Sequence, residues 1–113
     1  PYIITASGGK RMIENKFTID GLSEVINAGQ TKLANLCIFL CNADTKHADV
    51  IDLYVVQEGG SPSLENKVIS KLYIPPSQTF TLEEKLILET GDSIWVESQV
   101  GGRVTVTVTY TDI

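Results

Sequence analysis

The sequence predicts an all-β fold: a single antiparallel β-sandwich of jelly-roll or Greek-key type with an extended N-terminal arm. The first observation is the alternation of valine and threonine over residues 104–111. Successive side chains of a strand point to opposite faces, so the valines line one face, and the other face is lined by Thr105, Thr107 and Thr109. The second observation is that short apolar runs alternate with turn signals roughly every 8–12 residues, as in sandwiches.

Length and composition indicate one domain. The chain has 113 residues with a hydrophobic share of 42%, which suffices for a core without metal or disulfide support. We expect an arm over residues 1–16 and a sandwich domain over residues 17–113. No internal repeat interrupts this division.

Each strand follows from its local pattern. The central strand, residues 33–42, is apolar on both faces and should therefore be covered on both sides. The Glu-Glu sequence after Thr81 and Leu82 has capping-box spacing and is compatible with one helical turn. The other strands are expected at residues 16–19, 24–27, 50–57, 67–74, 79–82, 93–99 and 104–111.

Two connections are interpreted as joining paired strands. Residues 33–42 and 50–57 are expected to form an antiparallel pair across a polar loop. Gly101-Gly102 is a two-residue hairpin signal between the strand containing Trp95 and the Val/Thr strand. The valine face of that last strand should close the core opposite Cys37 or Ile38.

The charge distribution bears on partners. The net charge is −5, and all of it comes from residues 50–113. An acidic chain repels phosphate backbones, so we expect no nucleic-acid partner. The longest apolar run has six residues, whereas a membrane-spanning helix needs about 20, so we expect no membrane partner either. No signal peptide is recognisable.

The two cysteines, Cys37 and Cys41, lie in the central strand four residues apart. This spacing spans roughly 13 Å in a strand, whereas the Cα atoms of a disulfide lie within about 7 Å of each other. They cannot bridge each other, and we interpret both as buried free thiols, which favours a reducing compartment.

Catalytic and ligand-binding patterns are weak. The loop over residues 44–49, with His47, could hold a cation, but Asx turns explain it better. Asp52 could be a buried acid, although a place on the solvent face is the commoner arrangement. A Cys–His pair is disfavoured because the most apolar strand disfavours thiolates. We therefore expect no enzyme, no cofactor and no metal.

Trp95, Tyr54 and Tyr73 could form a platform for sugars.

The order of motifs from residue 36 to the C-terminus resembles small virion structural proteins of tailed bacteriophages, including those of cyanobacterial phages. The resemblance covers about two thirds of the chain. It rests on these stretches: Leu36-Cys37-Ile38-Phe39-Leu40-Cys41-Asn42, Asp52-Leu53-Tyr54, Leu72-Tyr73-Ile74-Pro75-Pro76, and Leu88-Glu89-Thr90-Gly91-Asp92-Ser93-Ile94 before the Val/Thr tail.

The resemblance implies a virion protein that is assembled in the host cytoplasm and decorates or cements the capsid, or binds at the neck or tail. Expected partners are other copies of itself, with a trimer as first choice, and a capsid, neck or tail protein. From the residues, the partner-binding groups are expected in the arm and on the threonine face, although exposure to solvent is the commoner arrangement for such a face. They are Tyr2, Ile3, Ile4, Lys10, Arg11, Thr105, Thr107 and Thr109. The alternative function is a carbohydrate-binding module displayed on a tail fibre.

Overall fold

The computed structural model describes residues 10–112, which form two four-stranded antiparallel sheets. Sheet A has the strand order β1-β8-β3-β6, and sheet B has the order β2-β7-β4-β5. The strands are β1 (Lys10–Phe17), β2 (Gly21–Asn27), β3 (Leu33–Asn42), β4 (Asp49–Val56), β5 (Lys67–Ile74), β6 (Thr79–Leu88), β7 (Ser93–Ser98) and β8 (Val104–Asp112). A short 3₁₀-helix, Leu64–Asn66, precedes β5.

This strand order is that of a jelly roll, and it confirms the predicted all-β sandwich. Among the eight strands of the described chain, only β4 and β5 follow each other within one sheet; every other connection crosses to the opposite sheet. The two expected pairings are therefore wrong. β3 lies in sheet A and β4 in sheet B, and β7 and β8 are likewise in different sheets. Both pairing predictions assumed that strands adjacent in the sequence pair within one sheet. In this fold, most such strands lie in opposite sheets and face each other across the core.

Gly101 makes the crossing from β7 to β8 possible. Its φ of +74° lies in the left-handed region, which glycine adopts without steric cost. A Cβ at this position would overlap the backbone of Ile19 and Asp20. The Gly-Gly signal thus marks a close approach between the β7–β8 and β1–β2 connections instead of a hairpin.

The core lies between the sheets. β3 contributes Leu36, Ile38 and Leu40, all fully buried, and β8 contributes its valines, so the predicted valine face is confirmed. Ile38 pairs with Val108 on this inner side, whereas Cys37 pairs with Thr109 on the other. Facing them from sheet B are the buried side chains Ile51, Leu53, Ile94 and Val96.

Two sequence expectations differ from the structure, and a third falls outside the described residues. The chain over Thr79–Leu88 is one continuous strand, with no helical turn at Thr81, because it pairs along its length with β3. Residues 10–16, expected in the arm, lie in β1, which satisfies the backbone groups on the free side of β8. The remaining arm, residues 1–9, lies outside the described residues.

Buried polar side chains fix the ends of the strands. Asn42, fully buried at the end of β3, donates to the carbonyl oxygens of His47 and Ile74, each at 3.0 Å. Ser98 donates its hydroxyl to buried Asp49, which ties β7 to the start of β4. These bonds satisfy groups that would otherwise be costly to bury.

Candidate functional site

The outer face of sheet A is crossed by three rows of paired side chains. Strand pairing defines the rows, because residues paired across neighbouring strands point to the same side of a sheet. The rows are Phe17–Thr105–Cys41–Thr79, Asn15–Thr107–Phe39–Thr81 and Ile13–Thr109–Cys37. None of these eleven side chains is charged. The exposed carboxylate of Glu83, two residues beyond Thr81 on β6, lies at the border of this set beside the third row. We use "the outer face of sheet A" for this set.

The outer face of sheet A is partly apolar. Ile13 is 59% exposed and Phe17 51% exposed at the edge strand, while Phe39 is half-buried near the centre. The hydroxyl of Thr107 donates to Asn15 Oδ1 at 2.7 Å, so part of the polar surface is satisfied within the sheet. A flat, uncharged surface with aromatic and aliphatic side chains is the kind that other proteins can cover.

The predicted threonine face exists. Thr105, Thr107 and Thr109 alternate with the buried valines and are half-buried on the outer face of sheet A. The cysteine prediction is wrong in one respect: Cys37 and Cys41 are free thiols but are only half-buried, like the threonines beside them. No described residue forms a layer over them, although the sequence pattern of β3 called for cover on both sides.

The arm residues predicted to bind partners fall into two groups. Tyr2, Ile3 and Ile4 lie outside the described residues. Lys10 and Arg11 begin β1, in register with the last residues of β8. The structure thus brings the start of β1 and the threonine strand into one sheet, which the sequence did not predict.

The outer face of sheet B has a different chemistry. Asp52, 8% exposed, is paired with Lys67 at 3.4 Å and accepts the backbone N–H of Lys71. The hydroxyl of Tyr54 donates to Glu97 Oε1 at 2.7 Å, and Lys67 Nζ lies 5.4 Å from the centre of the Tyr54 ring. Asp52 is therefore both on the outer face of its sheet and buried, because Lys67 and β5 cover it.

The pKa values on this face follow from these contacts. Burial raises the pKa of Tyr54 above its ordinary value of 10.0, and the hydrogen bond to Glu97 raises it further. Desolvation alone would lower the pKa of Lys67, but the attraction of Asp52 and Tyr54 and their hydrogen bonds together outweigh it, so the pKa lies above 10.5. Each charged group is thus engaged by a neighbour in the same sheet.

The aromatic platform considered as an alternative site for sugars is not formed. Tyr54 is 6% exposed, with Lys67 over its ring. Trp95 is half-buried and donates its indole N–H to Ser93 Oγ at 2.9 Å. Tyr73 alone of the three is well exposed, at 64%. A single exposed ring offers no stacking surface of several aromatics, so the carbohydrate-binding alternative loses its basis.

The histidine loop is a structural turn. Asp44 Oδ1 accepts the backbone N–H groups of Lys46 and His47, at 2.7 and 2.9 Å, as an Asx turn does. These bonds hold the pKa of Asp44 below 3.8. Within residues 10–112, no three His, Cys, Asp or Glu side chains are grouped so that they could hold a metal ion. None of the helical segments described there could cross a membrane.

Comparison with known proteins gives only distant similarity. No protein-family model matches the chain, and no curated protein matches it. A solved T13 particle of infectious bursal disease virus is similar, with a TM-score of 0.49 and 11% identity over 91% of this chain and 31% of that one. A structure of the Gx strain of that virus has a TM-score of 0.47 and 9% identity, over 98% and 37%.

The VP2 protein of the same virus, in T=1 particles, has a TM-score of 0.45 and 12% identity over 88% of this chain and 32% of that chain. The chain thus spans about a third of the length of the structures it matches. Similarity at this level identifies no family and carries no conclusion on function.

Proposed function

We propose that this chain is a non-enzymatic structural protein of a virion, which works in many copies through the outer face of sheet A. The observation that carries this proposal is that this face is uncharged and partly apolar, with no described layer above it. The sequence resemblance to small virion proteins of tailed phages supports the same class. The protein would decorate or cement the capsid, or bind at the neck or tail, after assembly in the host cytoplasm.

Charge favours the outer face of sheet A over other surfaces as the contact between copies. Copies with a net charge of −5 repel one another. The repulsion is least where two neutral surfaces meet, and the outer face of sheet B instead carries Asp52, Glu97 and Lys67. Removing that charged cluster from water would cost free energy, which the rows of sheet A avoid.

The size of the outer face of sheet A suits a protein contact. Three rows at two-residue spacing cover roughly 20 Å along the strands and four strands are roughly 19 Å wide, which gives about 400 Å². A standard interface buries about 800 Å² on each partner. The face therefore supplies about half of one side of such an interface, and Thr105, Thr107 and Thr109 lie across it. In addition, we propose that the arm, with Tyr2, Ile3, Ile4, Lys10 and Arg11, binds a neighbouring subunit.

A lysine at the centre of the face tests the proposal. Thr107→Lys places a charge in the middle row, so self-association should weaken, because an interface core excludes unpaired charges. Thr90→Lys, at an exposed site in the turn between β6 and β7, is the matched control and should associate like the unmodified chain. Sedimentation velocity reports the oligomer, with a trimer expected, and co-sedimentation reports binding to phage particles. The proposal would be contradicted if the unmodified chain stayed monomeric and did not bind phage particles.

A further inference from the structure

The sandwich is incompletely closed between its edge strands β5 and β6. Inward-facing side chains of both strands, among them Leu72 and Phe80, pack against the core yet remain partly exposed. Between them lies a cleft of about 410 Å³, lined by these two residues and by Tyr73, Pro75 and Gln78. We call it the β5–β6 cleft. It presents apolar surface beside two sheet edges that pair with no described strand.

The opposite edge of the sandwich has a different design. Glu14 and Lys16 of β1 are in register with Val108 and Val106 of β8, so they point to the core side of sheet A. Inward-pointing charges on an edge strand hinder the addition of another strand. The lining of the β5–β6 cleft contains no charged side chain. A strand added at the edge of β5 or β6 beside the cleft would therefore meet no such charge.

We propose that the β5–β6 cleft binds residues 2–5 of a neighbouring copy as an added strand. This inference rests on the proposed function, since it requires copies to meet. Tyr2, Ile3 and Ile4 are strong strand formers, and residues 1–9 carry no charged side chain. An edge strand offers backbone hydrogen bonds to such a segment, and the cleft offers apolar contacts to alternate side chains.

The segment must come from another copy because it cannot reach the cleft of its own chain. Lys10 lies in one row with Leu88 of β6, whereas Thr79, beside the cleft, lies at the opposite end of that strand. The two points are separated by three strand spacings and most of the length of β6, roughly 30 Å. Ile4 is six residues from Lys10, and six extended residues span at most about 22 Å.

Disulfide trapping between full-length chains tests this inference. One chain carries Ile3→Cys and the other Gln78→Cys, both with Cys37→Ser and Cys41→Ser. Upon mild oxidation, this mixture should give a cross-linked heterodimer. The control is a mixture of Ile3→Cys with Ser61→Cys, because Ser61 lies in the loop at the other end of β5. The cross-link to Gln78→Cys should form several-fold faster than the cross-link to Ser61→Cys. Adding Ile4→Asp to the first chain should slow the cross-link, because it brings a charge to the apolar cleft.

The outcomes separate the inference from the proposed function. A cross-link at Gln78 no faster than at Ser61, while association remains sensitive to Thr107→Lys, overturns the cleft inference alone. A chain carrying both Ile3→Cys and Gln78→Cys that closes on itself as a monomer also overturns it. Absence of any association between copies overturns the inference and the proposed function together.

Discussion

At the scale of single residues, the two outer faces of the sandwich differ in the polar groups that they present. On sheet B, Lys67 compensates the charge of Asp52, and Glu97 accepts the hydroxyl of Tyr54, so these charged groups have partners within one copy. On sheet A, threonine hydroxyls take the place of charges. A surface without charges to desolvate loses less free energy when it is covered.

The hydrogen bond from Tyr54 to Glu97 gives a pH prediction. The folded pKa of Tyr54 lies above its unfolded value, so its contribution to stability is complete below pH 10.0 and is lost as pH rises through the folded pKa. Glu97→Gln should bring this pKa closer to 10.0, because it removes the negative charge beside the phenol. Tyrosinate absorbance, measured against Tyr54→Phe, reports the titration, and Glu65→Gln is the control. An unchanged midpoint in Glu97→Gln would show that Glu97 has no influence.

At the scale of elements, the crossing connections define the fold. Strands adjacent in sequence are mostly opposed across the core, so each connection must turn from one sheet to the other. The β7–β8 connection does so with two glycines, at φ +74° and +70°. These glycines share a backbone conformation and both lie beside the β1–β2 connection, since the N–H of Gly102 donates to the Thr18 carbonyl oxygen at 2.7 Å. Only at Gly101, however, would a Cβ meet the backbone of that connection.

The glycine pair provides a matched comparison. Gly102→Ala meets no atom and should cost about 1 kcal/mol of unfolding free energy for its left-handed backbone alone. Gly101→Ala has the same backbone cost and also overlaps the backbone at Ile19 and Asp20, so it should cost clearly more. Urea denaturation of both variants measures the difference. Equal losses would contradict the close approach of the two connections.

Features of the fold that depend on local interactions could be predicted from the sequence, whereas features that depend on contacts between distant residues could not. The bounds of Leu33–Asn42 and Lys67–Ile74 were predicted correctly, because local apolar patterning decides where such strands lie. Sheet membership was not predictable, because β1 pairs with β8 through contacts far apart in sequence. The charged sequence of β1 concealed a strand, and the threonine face was predicted while the half-buried thiols beside it were not.

At the scale of the whole molecule, the two cysteines on the outer face of sheet A can show whether another copy covers that face. Cys37 and Cys41 lie in its first and third rows, half-buried and unpaired with each other. If copies pack on this face, both thiols become covered, and their reaction with a neutral alkylating reagent should slow as protein concentration rises. Thr107→Lys should restore the fast reaction. Alkylation rates that do not depend on concentration would place the contact between copies elsewhere.

The position of β8 has a consequence for folding. This strand, the last of the described chain, lies between β1 and β3 and pairs with both. Contacts between distant parts of a sequence form slowly, since a long chain segment must close first. Sheet A therefore cannot be completed on a growing chain before residues 104–112 are synthesised. The threonine rows form only after residues 104–112 have been synthesised, so the contact between copies that we propose there cannot form earlier.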